Sequence, residues 1–200
     1  MNNYHLERIG LKDDVSPMVV IKEHLLRYIH VLNFVKDKDV LDIACGTGYG
    51  MYLMSYWANT VSGYDYKEEA INEAKKYNFR CPSCLEVRNL EDTIKYDNDK
   101  TDKFDLITCF ETLEHLENPK NLLDSVKKHL RPKGWFVFSV PNKTNLKDGN
   151  PWHKKAYNRD TISHLMRSYF GMPGELLGHD QFGFTRDNMN KPYLIGKIQL

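Results

Sequence analysis

The chain has 200 residues, with 28 Lys and Arg against 27 Asp and Glu, and 41% of its residues are hydrophobic. A formal charge of +1 offers no overall attraction for a nucleic-acid backbone or an anionic membrane, and no run approaches the ~18 apolar residues of a membrane span. A single domain of this length buries roughly two-thirds to 70% of its unfolded surface, so neither metal nor disulfide is required to hold it.

The opening "MNNYHLERIGLKDD" has no basic segment followed by an apolar one, and Cys45, Cys81, Cys84 and Cys109 fall at unrelated spacings. Both features lead us to expect a cytoplasmic protein with reduced thiols. From Pro17 to about Val35, residues Val20, Leu25, Ile29 and Leu32 recur at helical spacing and predict a leading amphipathic helix. "VLDIA" predicts a buried strand, the following dozen residues a helix, "TVSGYD" a second strand and "KEEAINEAKKY" a helix rich in strong formers. "CLEVRN" and "KFDLITCF" are the third and fourth strands. In "NPKNLLDSVKKHL", Asn118 is the expected N-cap, Pro119 the first helical residue, and Leu122, Leu123, Val126 and Leu130 the core face. "RPKG" is expected to stop that helix ahead of a fifth strand, "WFVFSVP". A polar loop, "PNKTNLKDGNPWHKKAY", leads to a helix over about Asp160 to Phe170, and "GELLGHDQFGF" and "KPYLIGKIQL" are read as the last two strands. Such alternation specifies an α/β fold: a doubly wound, mostly parallel sheet covered by helices on both faces, with ligands beyond the carboxyl ends of its strands.

The stretch "VLDIACGTGYG" places Gly46, Gly48 and Gly50 directly behind the first strand. A glycine-rich turn there lets backbone approach a ligand closely. Asp65 ends the second strand 19 positions after Gly46, where an acidic residue accepts hydrogen bonds from ribose hydroxyls. The dinucleotide fingerprint G-x-G-x-x-G would need glycine at position 51, which is Met51; the third glycine is Gly50 instead.

The pattern D-x-x-C-G-T-G-x-G from Asp42 resembles motif I of the class I S-adenosylmethionine-dependent methyltransferases. "VSGYD", "FDLITCFETLEHL" and "RPKGWFVFSVPN" follow in that family's order, and the resemblance runs from about His24 to Leu200. Within the family the chain looks most like small bacterial enzymes of ubiquinone-type O-methylation and of glycan or sugar pathways. The resemblance implies a Rossmann-like sheet of about seven strands with an antiparallel C-terminal edge strand. It also implies one methyltransferase domain over residues 1–200, divided into a helical segment 1–35, a cofactor-binding core 36–140 and an acceptor-side region 141–200. The cofactor would be S-adenosyl-L-methionine, leaving as S-adenosyl-L-homocysteine. Backbone at Ala44, Cys45, Gly46, Thr47 and Gly48 would line its methionine part with Asp42 near the ammonium group; Asp65 would take the two ribose hydroxyls, with Tyr66 also among the cofactor-binding residues, Asn89 and Leu90 would contact the adenine, and Phe110 and Glu111 would pass beneath the sulfonium.

The acceptor is expected to be a small molecule, O-methylated on a sugar, sugar nucleotide or phenol-like hydroxyl, with no nucleic acid and no membrane insertion. Imidazole titrates near working pH, so His115 and His153 are the candidate bases. The long polar loop is expected to wall the acceptor site, with Asn142, Trp152, His153 and Tyr157 contributing, and the leading helix and Tyr4 to Arg8 completing the enclosure. Two competing readings are a nicotinamide-dependent oxidoreductase, disfavoured by Met51, and a non-catalytic cofactor-binding subunit. Glu111 and His115 have the i, i+4 spacing of metal ligands on a helix, but no third ligand is identifiable in sequence, so no metal is expected. "CPSC", Cys81 to Cys84, lacks a matching second pair and reads as a turn.

Overall fold

The computed structural model describes residues 17–91, 103–144 and 150–200, with side chains described from residue 22 onward. Helix α1 is Pro17–Val35, followed by β1 Asp39–Ile43, α2 Tyr49–Met54, β2 Thr60–Asp65, α3 Glu68–Ala74, β3 Ser83–Val87 and β4 Phe104–Phe110. A 3-10 turn, Leu113–His115, leads to α4 Lys120–His129, β5 Leu130–Pro141, α5 Arg159–Phe170, β6 Glu175–Asp180, β7 Gly183–Thr185 and β8 Tyr193–Gln199. The eight strands form one sheet in the order β3-β2-β1-β4-β5-β8-β6-β7. Strands β3 through β5 pair in parallel, and β8 runs antiparallel between β5 and β6.

The strand count and the edge differ from the expectation. "GELLGHDQFGF" makes two strands, because Asp180 accepts the Phe182 N–H through its side chain at 2.8 Å and Gly183, at φ 134°, turns the chain back into β7. The C-terminal strand therefore lies inside the sheet and β7 takes the edge. "RPKG" also falls within β5 instead of ahead of it: Lys133 takes φ 64°, and the register against β4 shifts between Phe104 and Leu106. Helix α4 begins at Lys120, whose N–H is received by Asn118 Oδ1 at 3.0 Å, so Asn118 caps it from one residue further out.

Both faces of the sheet are covered, as buried parallel strands require. One core joins Ile107, Phe136 and Phe138 to Leu122, Leu123 and Val126 of α4 and Ile162, Met166 and Phe170 of α5. The other joins Val40, Leu106 and Val137 to Val31 and Val35 of α1, Met51 and Met54 of α2, and Ile71 of α3. Helix α1 has the expected bounds but a different inward face. Tyr28, Val31 and Val35 are buried together with the charged Glu23 and Arg27, whereas Leu25 and Ile29 are 38% and 45% exposed. The carboxyl ends of β1, β2, β4 and β5 deliver Ala44, Asp65, Glu111 and Asn142 to one edge of the sheet.

Candidate active site

Left-handed backbone at Ala44 (φ 59°), Gly46 (φ 56°) and Gly48 (φ 79°) shapes the loop after β1. The glycines serve different purposes. A Cβ at Gly50 would lie 2.1 Å from the ring of Tyr28, so Gly50 makes room for α1. A Cβ at Gly46 would meet nothing within 4 Å, and that open space beside positive-φ backbone is where a ligand can approach the main chain. Asp65, 4% exposed, ties this loop to β2: Oδ2 accepts the Gly46 N–H at 2.8 Å and Oδ1 accepts the Lys67 N–H at 3.0 Å. A carboxylate has about four acceptor positions, so ribose hydroxyls can be received beside these amides. Tyr66 beside it is 59% exposed, and Thr47 is half-buried on the loop.

Met51 occupies the position where the dinucleotide fingerprint has its third glycine. It is wholly buried, and a Cβ at Gly63 on β2 would lie 2.1 Å from its sulfur. Close helix-strand packing is thus achieved by a glycine on the strand and a large side chain on the helix, the reverse of the dinucleotide arrangement.

Asp42 lies under the loop with no exposure. Thr108 donates to its Oδ1 at 2.7 Å and Tyr28 to its Oδ2 at 2.9 Å. Burial pushes its carboxyl up to about 7, against the pull of those two donors. Both oxygens are engaged from within the fold, so Asp42 braces the glycine loop from beneath.

At the end of β4, Phe110 stands edge-on to Tyr28 at 5.1 Å, and Glu111 takes φ 47°. Glu111 Oε1 accepts from Ser139 Oγ at 2.7 Å and lies 3.4 Å from Arg27 Nη2. Arg27, fully buried on α1, also donates through Nε to His179 Nε2 at 3.0 Å and lies over the Tyr193 ring at 4.6 Å; its Nη1 has no hydrogen-bond partner among the described residues. Burial and this guanidinium hold His179 down to about 2 and His24 to about 3. Sequence reasoning missed this polar group. The available signal was the spacing of Glu23, Arg27 and Val31, which lie one turn apart on a single face of α1.

Asn89 is exposed and its Oδ1 accepts the Glu91 N–H at 3.1 Å, while Leu90 is buried. Asn142 holds the fold together at this edge: it is 2% exposed, its amide donates to the Met189 and Lys191 carbonyls at 2.9 Å each, and its Oδ1 accepts the Thr144 N–H at 3.2 Å. That leaves its amide tied to the chain between β7 and β8 instead of facing an acceptor. Tyr157 is buried, its hydroxyl 3.5 Å from the Leu113 carbonyl, and burial raises it to about 12. Residues 145–149 of the polar loop and the Tyr4 to Arg8 segment lie outside the described residues.

The two histidines come together. The Glu114 carbonyl accepts the N–H groups of Lys154 at 2.8 Å and Lys155 at 3.0 Å, pinning the loop against the 3-10 turn. The His115 and His153 rings then meet edge to face at 4.9 Å, and Trp152 stays 56% exposed beside them, outside the core. Glu114, 2% exposed, His115 and His153 each offer a ligand atom, all within 4.8 Å of one another. The carboxylate of this set is Glu114, not the Glu111 that helical spacing pairs with His115, and the third member, His153, comes from the loop.

Against known proteins, the family described as "Methyltransferase domain" matches residues 21–170. The chain is 33% identical over 135 residues to a ubiquinone biosynthesis O-methyltransferase of Glaesserella parasuis, covering 66% of this chain and 57% of that protein. Matched relatives of this kind are thus spanned over little more than half of their length. A crystal structure of an S-adenosylmethionine-dependent methyltransferase from Aquifex aeolicus aligns over 100% of this chain and 98% of its own, with TM-score 0.67 and 16% identity. The plantazolicin methyltransferase BpumL in complex with S-adenosylhomocysteine aligns over 89% of this chain and 82% of its own, with TM-score 0.63 and 16% identity. The chain belongs to the methyltransferase-domain family, and its fold is that of the class I S-adenosylmethionine-dependent enzymes. No helix among the described residues is long and apolar enough to cross a membrane.

Proposed function

We propose that the chain transfers a methyl group from S-adenosylmethionine to a hydroxyl of a small molecule, phenol-like or sugar-like. The observation that carries this reading is the pairing of an open glycine turn at Gly46, anchored by Asp65, with a histidine pair placed just beyond the end of β4. The residues present fit the cofactor: open space at Gly46 admits it to the backbone, and the Asp65 carboxylate can receive ribose hydroxyls beside the amides it holds. When bound, S-adenosylmethionine supplies a methyl group on a sulfonium that is already reactive.

The chain's own part is alignment, exclusion of water and removal of a proton. Backbone from Ala44 to Gly48 lines the methionine part, with Asp42 bracing that loop; Tyr66, Asn89 and Leu90 border the nucleoside; Phe110 and Glu111 form the floor. Trp152 covers an acceptor ring, and the group formed by Glu114, His115 and His153 promotes removal of the acceptor proton. The O-methyltransferase relatives at about 30% identity favour oxygen as the atom methylated. The test is turnover by the purified chain with panels of phenols, sugars and sugar nucleotides, with products read by mass spectrometry. Methylation of a hydroxyl is the expected result; cofactor binding with no turnover on any acceptor class would favour a non-catalytic subunit.

A further inference from the structure

We propose that Glu114, His115 and His153 form a divalent-metal site on the acceptor side of the methyl-transfer centre. The proposal deepens the O-methyltransferase reading and rests on it for the acceptor's position. A divalent ion with ligands at about 2.0–2.2 Å holds them roughly 3–4 Å apart. The His115 Nε2 to Glu114 Oε1 separation of 3.9 Å already falls in that range, and the full set lies within 4.8 Å.

The surroundings prepare these side chains for coordination. The Trp152 carbonyl can only accept, so His115 Nδ1, 3.1 Å away, carries the proton and leaves the Nε2 lone pair on the Glu114 side. A ring N–H fixed by a backbone carbonyl is the usual second partner of a metal-ligating histidine. Asn150 Oδ1 accepts the Trp152 N–H at 3.0 Å, which orients its amide to donate to His153 Nε2 at 3.0 Å. That bond occupies the His153 Nε2 lone pair, and an ion bound at that nitrogen would displace the Asn150 amide. Lys154 directs its ammonium to Glu117 at 3.1 Å.

Two imidazoles and one carboxylate suit Zn2+ or Mn2+ better than Ca2+, which prefers oxygen ligands throughout. Three protein ligands also leave coordination positions open, as catalytic sites do. An acceptor hydroxyl bound in one of them would lose its proton to solvent at lower pH than a free hydroxyl. Its oxygen then forms the new O–CH3 bond as the S–CH3 bond breaks and the sulfonium becomes a neutral thioether. In this arrangement the histidines act by holding the ion, not by taking the proton directly.

The rival thiol pair, half-buried Cys81 and exposed Cys84, supplies the control. Chelator-stripped wild-type chain is titrated with Zn2+ and Mn2+ by calorimetry, beside His115→Ala, His153→Ala and the double variant Cys81→Ser, Cys84→Ser, with folding checked by circular dichroism. We expect one equivalent bound per wild-type chain, weakened at least ~10-fold in each histidine variant and unchanged in the cysteine variant. Failure of the wild type to bind, equal binding by folded His153→Ala, or loss in the cysteine variant would overturn the site. Parallel titration with S-adenosylhomocysteine separates the two readings: cofactor bound without metal sinks only the metal site, and metal bound without cofactor sinks the methyltransferase reading.

Discussion

Tyr28 on α1 and Gly50 on α2 interlock: the tyrosine ring fills the space where a Cβ at Gly50 would lie 2.1 Å away, and its hydroxyl donates to Asp42 at 2.9 Å. One side chain thus clamps the leading helix, the first sheet helix and the strand that carries the glycine loop. Gly50→Ala is expected to cost about 1–3 kcal/mol through overpacking. Tyr28→Phe, which strips a donor from a buried carboxyl, is expected to cost a similar ~1–3 kcal/mol. Chemical denaturation measures both; midpoints equal to wild type would show that α1 is not clamped this way.

Acid sensitivity should trace to the Arg27 cluster. His179 accepts the Arg27 Nε–H and is held down to about 2, so the unfolded chain takes up a proton below about pH 6.5 that the folded chain refuses. The folded-state value is depressed, so the stability from neutral His179 is complete above that pH and is lost as pH falls toward 2. Each such histidine contributes a slope of at most about 1.4 kcal/mol per pH unit. His179→Gln keeps an acceptor for Arg27 but does not titrate. Denaturation midpoints followed from pH 7 to 5 should fall less steeply in that variant, and identical slopes would place the sensitivity elsewhere.

Trp152 is 56% exposed beside the histidine pair and is expected to cover an acceptor ring. Loss of one aromatic contact, worth about 0.5–1.5 kcal/mol, lowers kcat/KM for the acceptor roughly 3- to 10-fold. Trp152→Ala should therefore impair acceptor use while S-adenosylhomocysteine binds as before. Steady-state kinetics beside calorimetry decide it: an unchanged kcat/KM removes Trp152 from the acceptor site, and a loss confined to cofactor affinity moves it to the other ligand.

The parts legible in sequence are those set by local pattern. The glycine turn, Asp65 at the end of β2 and the alternation of strands and helices all follow from short-range spacing. What escaped depends on tertiary packing. Buried Arg27 defeats a hydrophobic stripe, so Leu25 and Ile29 read as inward when they face solvent. Asn142 sits in a binding-edge loop by sequence, yet its amide is taken by carbonyls 47 and 49 positions away. His153 joins Glu114 and His115 only because the Glu114 carbonyl receives the Lys154 and Lys155 N–H groups, a link no periodicity encodes.

The central claim, a cofactor site built on the glycine loop and Asp65, is tested most directly by calorimetric titration of S-adenosylhomocysteine into wild type, Asp65→Asn and Asp65→Ala, with NAD as the comparison ligand. Removing a charge-assisted acceptor worth about 1.5–3 kcal/mol weakens binding at least ~10-fold. The account predicts saturable binding of S-adenosylhomocysteine by wild type, at least that loss in folded Asp65→Ala, and no comparable heat with NAD. Equal affinity in wild type and Asp65→Ala, or binding of NAD in place of S-adenosylhomocysteine, would contradict it.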